Sequence, residues 1–327
     1  MEKELPRVFV TRRVADSALA RLREFAQIDL WPAEMPPAYA ELTAHCGNAD
    51  GLLCMVTDSV DRALMDAAPR LRVISQLGVG VNNIDLEAAR ARGIPVGHTP
   101  GILTETTAEF AFALLLAVAR RVVEAERYVR DGRWRTWGPE ILLGRDLHGA
   151  TLGIIGYGAI GQAVAQRARG FSMRILYHSR APRPQGTDAE CVPLQELLQR
   201  SDFISLHAPL TPQTRGLLGA REFALMKPGA ILVNTARGEE VDEVALLEAL
   251  RSGHLGGAGL DVTAVEPLPR DHPLLGLANV VITPHIGSGS LTTRRRMAEM
   301  AVENLRAGLA GEIPARCANL PVTPGRR

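Results

Sequence analysis

Short apolar segments alternate with amphipathic segments along most of the chain. The apolar segments are flanked by turn-forming or charged residues and predict buried strands at residues 6–10, 51–56, 72–77, 174–177, 203–206, 230–234, 259–262 and 280–283. The amphipathic segments predict helices at residues 15–25, 61–67, 242–252 and 292–310. Strands that alternate with helices are typical of βαβ units, so the pattern predicts parallel sheets.

The most apolar helix is expected between the two halves of this pattern. Residues 104–130 are predicted to form one long helix whose first half is apolar on most sides. Such a helix must be buried, either in its own domain or against a second copy of the chain. Its apolar segment, residues 110–119, is shorter than the ~20 residues of a membrane span, so no membrane partner is expected.

The length of the chain fixes how these elements are grouped. At 327 residues it exceeds the size that a single hydrophobic core usually supports, so two domains are expected. Together with the alternating pattern, this predicts the α/β class, with two doubly wound parallel-sheet domains. The default ligand site of such a protein is the cleft between its domains.

Charge and cysteine usage argue against several classes of function. The chain carries 37 basic and 36 acidic residues, so no overall basic field favours nucleic acid. Its four cysteines are scattered and the N-terminus lacks the apolar core of a signal peptide, which predicts reduced thiols in a cytoplasmic protein. Potential metal ligands show no usable spacing, so no metal is expected.

Residues 151–161 form the most informative motif. A β-branched apolar segment leads into Gly156, Gly158 and Gly161, which have the G-x-G-x-x-G spacing, and a helical pattern follows. In this context the first glycine permits a tight turn, the second lets the backbone approach a pyrophosphate, and the third lets the helix lie close to the strand. Because the start of a helix also attracts phosphate, the motif predicts dinucleotide binding.

The end of the next strand indicates which dinucleotide binds. NAD sites usually place a carboxylate there to hold the ribose 2′-hydroxyl, whereas this chain has His178, Ser179 and Arg180. A hydroxyl and a guanidinium suit a 2′-phosphate, so NADP(H) is the expected cofactor, with NAD(H) possible. The alternative is that Arg180 is an ordinary surface arginine.

Three polar residues follow strands of the second half, where open α/β sheets bind ligands. They are Arg237, Glu266 and His285. Each alone has a simpler explanation, as a solvated cation, a turn before proline or a structural histidine. Together they form a candidate catalytic set.

The chain resembles the D-2-hydroxyacid dehydrogenase family over nearly its whole length. The resemblance rests on residues 77–85 and 285–288, and on residues 99–109, 259–262 and 266–269, which are most similar to glyoxylate/hydroxypyruvate reductases. It implies that a flavodoxin-like substrate domain is discontinuous, comprising residues 1–103 and 289–327. A dinucleotide-binding Rossmann domain, residues 104–288, is then inserted into it.

The resemblance also implies roles for the catalytic set. Arg237 would bind the substrate carboxylate and carbonyl, since its planar fork matches a planar acid. His285 would donate a proton to the carbonyl oxygen while hydride arrives from the nicotinamide. Glu266 would orient that imidazole and favour its protonated form.

Further substrate contacts are expected from the first domain and from one tryptophan. The backbone amides of Val79 and Gly80 would receive the carboxylate, an assignment that rests on the resemblance alone. Met55, at a strand end, is the expected wall of the substrate pocket. Trp137 matches a tryptophan that reaches the neighbouring subunit's site in similar reductases, but it could equally be a packing aromatic.

The dinucleotide is expected to contact residues around the glycine motif and at the ends of later strands. Besides the three glycines, Ser179 and Arg180, the set comprises Thr107, Ala159, Ile160, Pro209, Thr235, Asp261 and Gly287.

These features predict an NADPH-preferring reductase that converts small 2-oxo acids, glyoxylate and hydroxypyruvate, to D-2-hydroxy acids. A homodimer is expected through the region of the long helix. One alternative is a dinucleotide-sensing interaction protein similar to a corepressor. Another is a formate or phosphite dehydrogenase on the same fold.

Overall fold

The computed structural model describes residues 4–180 and 188–321 of the chain. The chain divides into two compact units. The discontinuous unit comprises Met1–Leu103 and Gly289–Arg327, and the inserted unit comprises Thr104–Ser288. Each contains one parallel sheet, so the predicted fold class is confirmed.

The discontinuous unit has a five-stranded sheet with the strand order β2-β1-β3-β4-β5. This is the flavodoxin-like order, in which the first strand lies inside the sheet. The strands are β1 Arg7–Val10, β2 Gln27–Leu30, β3 Gly51–Cys54, β4 Val73–Gln76 and β5 Val96–Gly97. The helices are α1 Asp16–Arg23, α2 Tyr39–Cys46, α3 Arg62–Asp66, α4 Leu86–Ala91 and α11 Leu291–Leu309.

Both faces of this sheet are covered by a hydrophobic core, and the side chains of each strand point alternately into one core and the other. In β1, Phe9 belongs to one core, whereas Val8 and Val10 belong to the core on the opposite face. Leu305 of α11 lies in that second core, so the C-terminal helix returns to the unit formed by the N-terminal half. Continuous apolar strands are what a sheet covered on both faces requires.

The inserted unit has a seven-stranded sheet with the order β12-β11-β10-β9-β6-β7-β8. Its first strand in the sequence lies between the second and the fourth, which is the Rossmann arrangement with its switch point beside β6. The strands are β6 Thr151–Ile155, β7 Arg174–His178, β8 Ala189–Cys191, β9 Phe203–Leu206, β10 Ala230–Asn234, β11 Leu255–Leu260 and β12 Val280–Ile282. The helices are α5 Thr104–Ala119, α6 Val122–Arg130, α7 Ala159–Arg169, α8 Leu194–Arg200, α9 Ala220–Leu225 and α10 Glu243–Arg251, with 3-10 turns at Gly238–Glu240 and Pro273–Gly276.

The prediction of one helix over residues 104–130 is wrong. The segment forms two helices, and Arg121 between them has a left-handed φ of +53°. The guanidinium of Arg121 donates to both carboxylate oxygens of Glu124, at 2.7 and 2.8 Å, and so fixes the turn. α5 packs into the core of the unit, whereas α6 has no buried residue. The apolar pattern ends at Ala119, and α5 ends at the same residue.

None of the helices in the described ranges is both long enough and apolar enough to cross a membrane.

Candidate functional site

The glycine motif forms a tight turn between β6 and α7. Gly156 has a φ of +92°, and a Cβ at this position would lie 2.5 Å from the backbone of His207 and Ala208. Gly161 lies close to the same turn, since its Cβ would be 2.3 Å from the Gly156 carbonyl oxygen. A Cβ at Gly158, by contrast, would meet no atom within 4 Å. The middle glycine therefore borders open space at the start of the helix.

This open space fits the pyrophosphate of a dinucleotide. α7 is 11 residues long and begins at Ala159. The first N–H groups of a helix have no partner within the helix, so those of Ala159, Ile160 and Gly161 are free of intrahelical bonds. Together with the positive end of the helix dipole, they make an anion-binding site.

Two polar residues follow the adjacent strands β10 and β11 at the same edge of the sheet. The hydroxyl of Thr235, directly after β10, is buried and has no hydrogen-bond partner among the residues that the structure describes. Asp261, directly after β11, accepts hydrogen bonds from the amides of Ile286 and Gly287, at 2.8 and 2.6 Å, and from the Thr283 hydroxyl at 2.7 Å. Burial raises the pKa of Asp261, although these hydrogen bonds oppose the shift. An unpartnered buried hydroxyl is what a ligand amide or hydroxyl would satisfy.

Two other predicted cofactor contacts lie near this edge. Thr107 is buried in α5, and a Cβ at Gly287 would lie 3.6 Å from its methyl group. Pro209 follows β9, and its carbonyl accepts a hydrogen bond of 2.7 Å from the Thr214 hydroxyl.

Ser179 and Arg180 follow β7, the strand that pairs with β6. Ser179 is half-buried and Arg180 is exposed. The Nδ1 atom of His178 lies 3.2 Å from the carbonyl oxygen of Val192. This strand end offers a hydroxyl and a guanidinium at the place where a ribose-binding carboxylate would stand.

His285 and Glu266 form a direct pair in the inserted unit. His285 Nδ1 and Glu266 Oε2 are 2.8 Å apart, and each side chain is 30% exposed. The second carboxylate oxygen, Oε1, accepts from the Thr263 amide at 3.2 Å. Although burial raises the pKa of Glu266, the hydrogen bond and charge of His285 outweigh it, and the pKa is lowered overall. The carboxylate therefore accepts the Nδ1 proton, which leaves Nε2 for another partner.

The backbone of His285 is held in an unusual conformation. Its φ is +53°, a region that residues with a Cβ seldom adopt. Its amide donates to the carbonyl oxygens of Asp261 and Thr283, at 2.9 and 3.0 Å, which stabilises the turn. Strained backbone of this kind is often found at functional sites.

Arg237 follows β10 and begins the 3-10 turn Gly238–Glu240. Asn234 stabilises this turn, because its side chain donates to the Arg237 carbonyl at 2.8 Å and accepts from the Ala236 amide at 2.9 Å. Burial lowers the pKa of Arg237, while the charges of Glu266, Glu239 and Glu240 act in the opposite direction. Arginine remains protonated in proteins, so the site holds a fixed cation.

The turn of Arg237 lies against the segment that contains Glu266. A Cβ at Gly238 would lie 1.9 Å from the carbonyl carbon of Thr263, so only glycine permits this approach. The inserted unit thus gathers Arg237, Glu266 and His285 at the carboxyl edge of its sheet. The arrangement can bind an anion and transfer a proton.

The three predicted substrate contacts of the discontinuous unit follow adjacent strands of its sheet. Met55 follows β3, whereas Val79 and Gly80 follow β4. The amide of Met55 donates to Asp58 Oδ2 at 2.7 Å, and the carbonyl of Val79 lies 2.9 Å from His98 Nδ1.

A polar network that the sequence analysis missed connects these two loops. The Asn83 side-chain amide donates to the carbonyls of Met55 and Asp58, at 3.0 and 2.8 Å. Gln76 donates to Asn83 Oδ1 at 3.2 Å and to the Gly80 carbonyl at 3.4 Å. Gln76, a polar residue in an apolar strand, was the sequence signal that could have indicated this network, since a buried amide needs hydrogen-bond partners.

Trp137 lies in the inserted unit after α6 and is 80% exposed. It does not belong to the hydrophobic core of that unit. In the described residues, no group of three or more histidine, cysteine, aspartate or glutamate side chains could hold a metal ion.

Comparison with known proteins identifies the family. Residues 112–287 match the NAD-binding domain of the D-isomer specific 2-hydroxyacid dehydrogenases, which is more than half of the chain. The chain belongs to this family. It is therefore an NAD(P)-dependent oxidoreductase, and the resemblance stated from the motifs is confirmed.

Relatives within the dehydrogenase family extend the match to nearly the whole chain. A glyoxylate reductase of Korarchaeum cryptofilum is 51% identical over 98% of both chains. The crystal structure of a Thermus thermophilus protein has 55% identity and a TM-score of 0.90, over 95% of this chain and 99% of that one. An NADPH-dependent glyoxylate/hydroxypyruvate reductase of Sinorhizobium meliloti, solved with NADP and malonate, has 34% identity and a TM-score of 0.86 over 96% of each chain.

Proposed function

We propose that this dehydrogenase reduces glyoxylate and hydroxypyruvate to D-2-hydroxy acids, with NADPH as the preferred reductant. The observation that supports the proposal most is the contact between His285 and Glu266 beside the fixed cation Arg237. A proton donor and a carboxylate-binding cation are the two groups that reduction of a 2-oxo acid requires. Relatives named glyoxylate reductase, 51% and 48% identical to this chain, favour the small substrate.

The proton is delivered by His285 in this proposal. Bound NAD(P)H supplies hydride to the carbonyl carbon of the substrate. The Nε2 atom of His285 donates its proton to the carbonyl oxygen as negative charge develops there. Glu266 holds the Nδ1 side of the ring and stabilises the imidazolium before transfer. After transfer, the ring is neutral and remains hydrogen-bonded to the carboxylate.

Substrate is oriented by charge and by backbone amides. The guanidinium of Arg237 binds the carboxylate and the carbonyl oxygen, and so holds the acid in a reactive orientation. The amides of Val79 and Gly80 bind the remaining carboxylate oxygen. Met55 forms the apolar wall that meets the other end of the substrate.

The dinucleotide is bound by the edge of the inserted sheet. The amides of the first turn of α7 hold the pyrophosphate, with Gly158 leaving room for it. The remaining contacts come from Thr107, Pro209, Thr235, Asp261 and Gly287. Ser179 and Arg180 bind the 2′-phosphate of NADPH, a preference supported by the strand end that lacks a carboxylate.

The assembly in this proposal is a homodimer in the cytoplasm. Large apolar side chains are exposed on α6 and the segment after it, namely Val122, Val129, Trp134, Trp137, Ile141 and Leu143. A second copy that covers this surface would bury them and bring Trp137 to the partner's site. The four cysteines are all free, as expected in a reducing compartment.

The test is the loss of NADPH absorbance when glyoxylate or hydroxypyruvate is added, with NADH compared at equal concentration. We expect a higher kcat/KM with NADPH, and roughly a tenfold loss of that preference in Arg180→Ala, since a charge-assisted hydrogen bond is removed. Arg174→Ala, at the other end of β7, is the control and should keep the preference. Absence of turnover with either acid would reject the proposal, and activity on formate or phosphite would replace it. Equal use of NADH would reject only the cofactor preference.

A further inference from the structure

Glu240 is a buried carboxyl group that the proposed reaction does not use. It ends the 3-10 turn that begins after Arg237, and its side chain has no solvent exposure. Within residues 4–180 and 188–321, neither carboxylate oxygen has a hydrogen-bond partner. The adjacent Glu239 is half-buried, so the two neighbouring glutamates differ in environment although they share a turn.

The surroundings of Glu240 offer little compensation for a negative charge. The donors that act on the carboxyl are the amide of Arg237 and the hydroxyl of Thr214, and this hydroxyl donates to the Pro209 carbonyl at 2.7 Å. The backbone around the carboxyl is fixed on both sides. Its own amide donates to the Arg237 carbonyl at 3.4 Å, and its carbonyl accepts from the Leu218 amide at 3.0 Å. The turn that carries this buried carboxyl is therefore held in place by its backbone.

Burial of an unpaired charge is costly, so this carboxyl holds its proton more tightly than an exposed one. Burial raises the pKa of Glu240 to about 7, although the Arg237 amide and the positive charge of Arg237 partly oppose the shift. The charged groups that act on it are Arg237 and Glu239, and Thr214 faces it from the segment after β9. Its charge acts in turn on the guanidinium of Arg237.

We infer that Glu240 is a positioning residue that makes the affinity for the 2-oxo acid depend on pH through Arg237. When protonated, it leaves the guanidinium to the carboxylate of the substrate. When ionised, it competes with that carboxylate for the same cation. By reciprocity, a bound anionic substrate favours protonation of Glu240, so binding near neutral pH takes up a proton. This inference depends on the proposed function, because it assigns the substrate carboxylate to Arg237.

The same proton affects the stability of the fold. The folded protein binds the proton more tightly than the unfolded chain, whose glutamate has an ordinary pKa of 4.5. The contribution of this group to stability therefore falls as the pH rises from about 4.5 to about 7 and is constant above that range. A glutamine at this position lacks the effect. Stability thus reports the titration without any substrate.

The experiment compares wild type, Glu240→Gln and Glu239→Gln between pH 5.5 and 8.5. Across this range, the rise of the KM for glyoxylate should be roughly three- to tenfold larger in wild type than in Glu240→Gln. The reason is that the opposite charges of Glu240 and Arg237 interact strongly in a partly buried site. Glu239→Gln removes the same formal charge from a half-buried neighbour and should keep the wild-type rise. A Glu240→Gln variant whose KM rises as steeply as that of wild type overturns the inference.

Thermal unfolding of the same proteins separates this inference from the proposed function. The Tm of Glu240→Gln relative to that of wild type should increase as the pH rises from 5 to 7. The Tm of Glu239→Gln relative to that of wild type should not change with pH in this way. If glyoxylate is not reduced at all, the proposed function fails, and the Tm comparison still tests the buried proton. If Glu240→Gln does not fold, Glu240→Leu replaces it, because the site is fully buried. Parallel Tm curves for wild type and the Glu240 variant would exclude the titration.

Discussion

The carboxyl edges of the two sheets carry different kinds of polar group. The inserted sheet presents ionisable side chains, with His285 and Glu266 2.8 Å apart near Arg237. The discontinuous sheet presents backbone groups of Met55 and of the loop after β4, which are held by the side chains of Gln76, Asn83 and Asp58. One edge is equipped to change charge during a reaction, and the other is equipped to hold a shape.

This difference leads to different expectations for the kinetics. Groups that interact more strongly with the transition state than with the substrate affect kcat, whereas groups that bind both equally affect KM. A proton donor belongs to the first kind. Backbone amides that bind a carboxylate belong to the second kind, because the carboxylate carries the same charge before and after reduction. Mutations at the two edges should therefore separate kcat from KM.

The largest effect is expected for His285→Ala. Loss of a general acid typically lowers the rate by ~10²–10⁴-fold, so kcat should fall by that amount. NADPH should still bind, since the glycine turn does not involve this residue, and a fluorescence titration checks this. His148→Ala, at an exposed position of the same unit, is the control and should keep full activity. A loss of less than about tenfold in kcat would remove His285 from the role of proton donor.

Side-chain chemistry of this kind could be predicted from the sequence. Arg237 and His285 are polar residues directly after apolar strands, and the parallel topology gathers such positions at one edge of a sheet. The glycine spacing at residues 156–161 was equally informative, because Gly156 and Gly161 each permit a close backbone approach, whereas Gly158 borders open space. The fold class followed from the alternation of strands and helices.

Features decided by tertiary contacts could not be predicted. The left-handed turn at Arg121 interrupts a segment in which arginine is a good helix former, and the contact of Arg121 with Glu124 stabilises this turn. The edge strand β2 is short and only partly buried, so its residues lack a clear pattern. Asn83 resembles an ordinary turn residue, and Glu240 resembles a solvated charge beside Glu239. Their roles depend on neighbours distant in sequence or on burial.

A smaller effect is expected for Arg237→Lys, which keeps the charge at the inserted edge but loses the planar fork. A hydrogen bond to a charged group contributes about 1.5–3 kcal/mol, so kcat/KM should fall roughly 10- to 100-fold. Part of this loss should appear in kcat, because in the proposed mechanism the fork also contacts the carbonyl oxygen that becomes negative. Arg251→Lys, at the exposed end of α10, is the control for a general effect of replacing arginine by lysine, and it should leave kcat and KM unchanged. Wild-type kcat and KM in Arg237→Lys would exclude the two-pronged contact.

The smallest effect is expected for Asn83→Ala at the discontinuous edge. This change removes the hydrogen bonds to the carbonyls of Met55 and Asp58 and frees the loop that carries Val79 and Gly80. At about 0.5–1.5 kcal/mol for each bond, part of which is lost from stability rather than binding, KM for glyoxylate should rise roughly three- to tenfold. The value of kcat should stay within about twofold, because no group lost here changes its contact between substrate and transition state. Asn82→Ala, the adjacent asparagine, is the matched control and should raise KM less. A fall in kcat with an unchanged KM would show that this edge takes part in the chemical step, and the contrast between the two sheets would then be wrong.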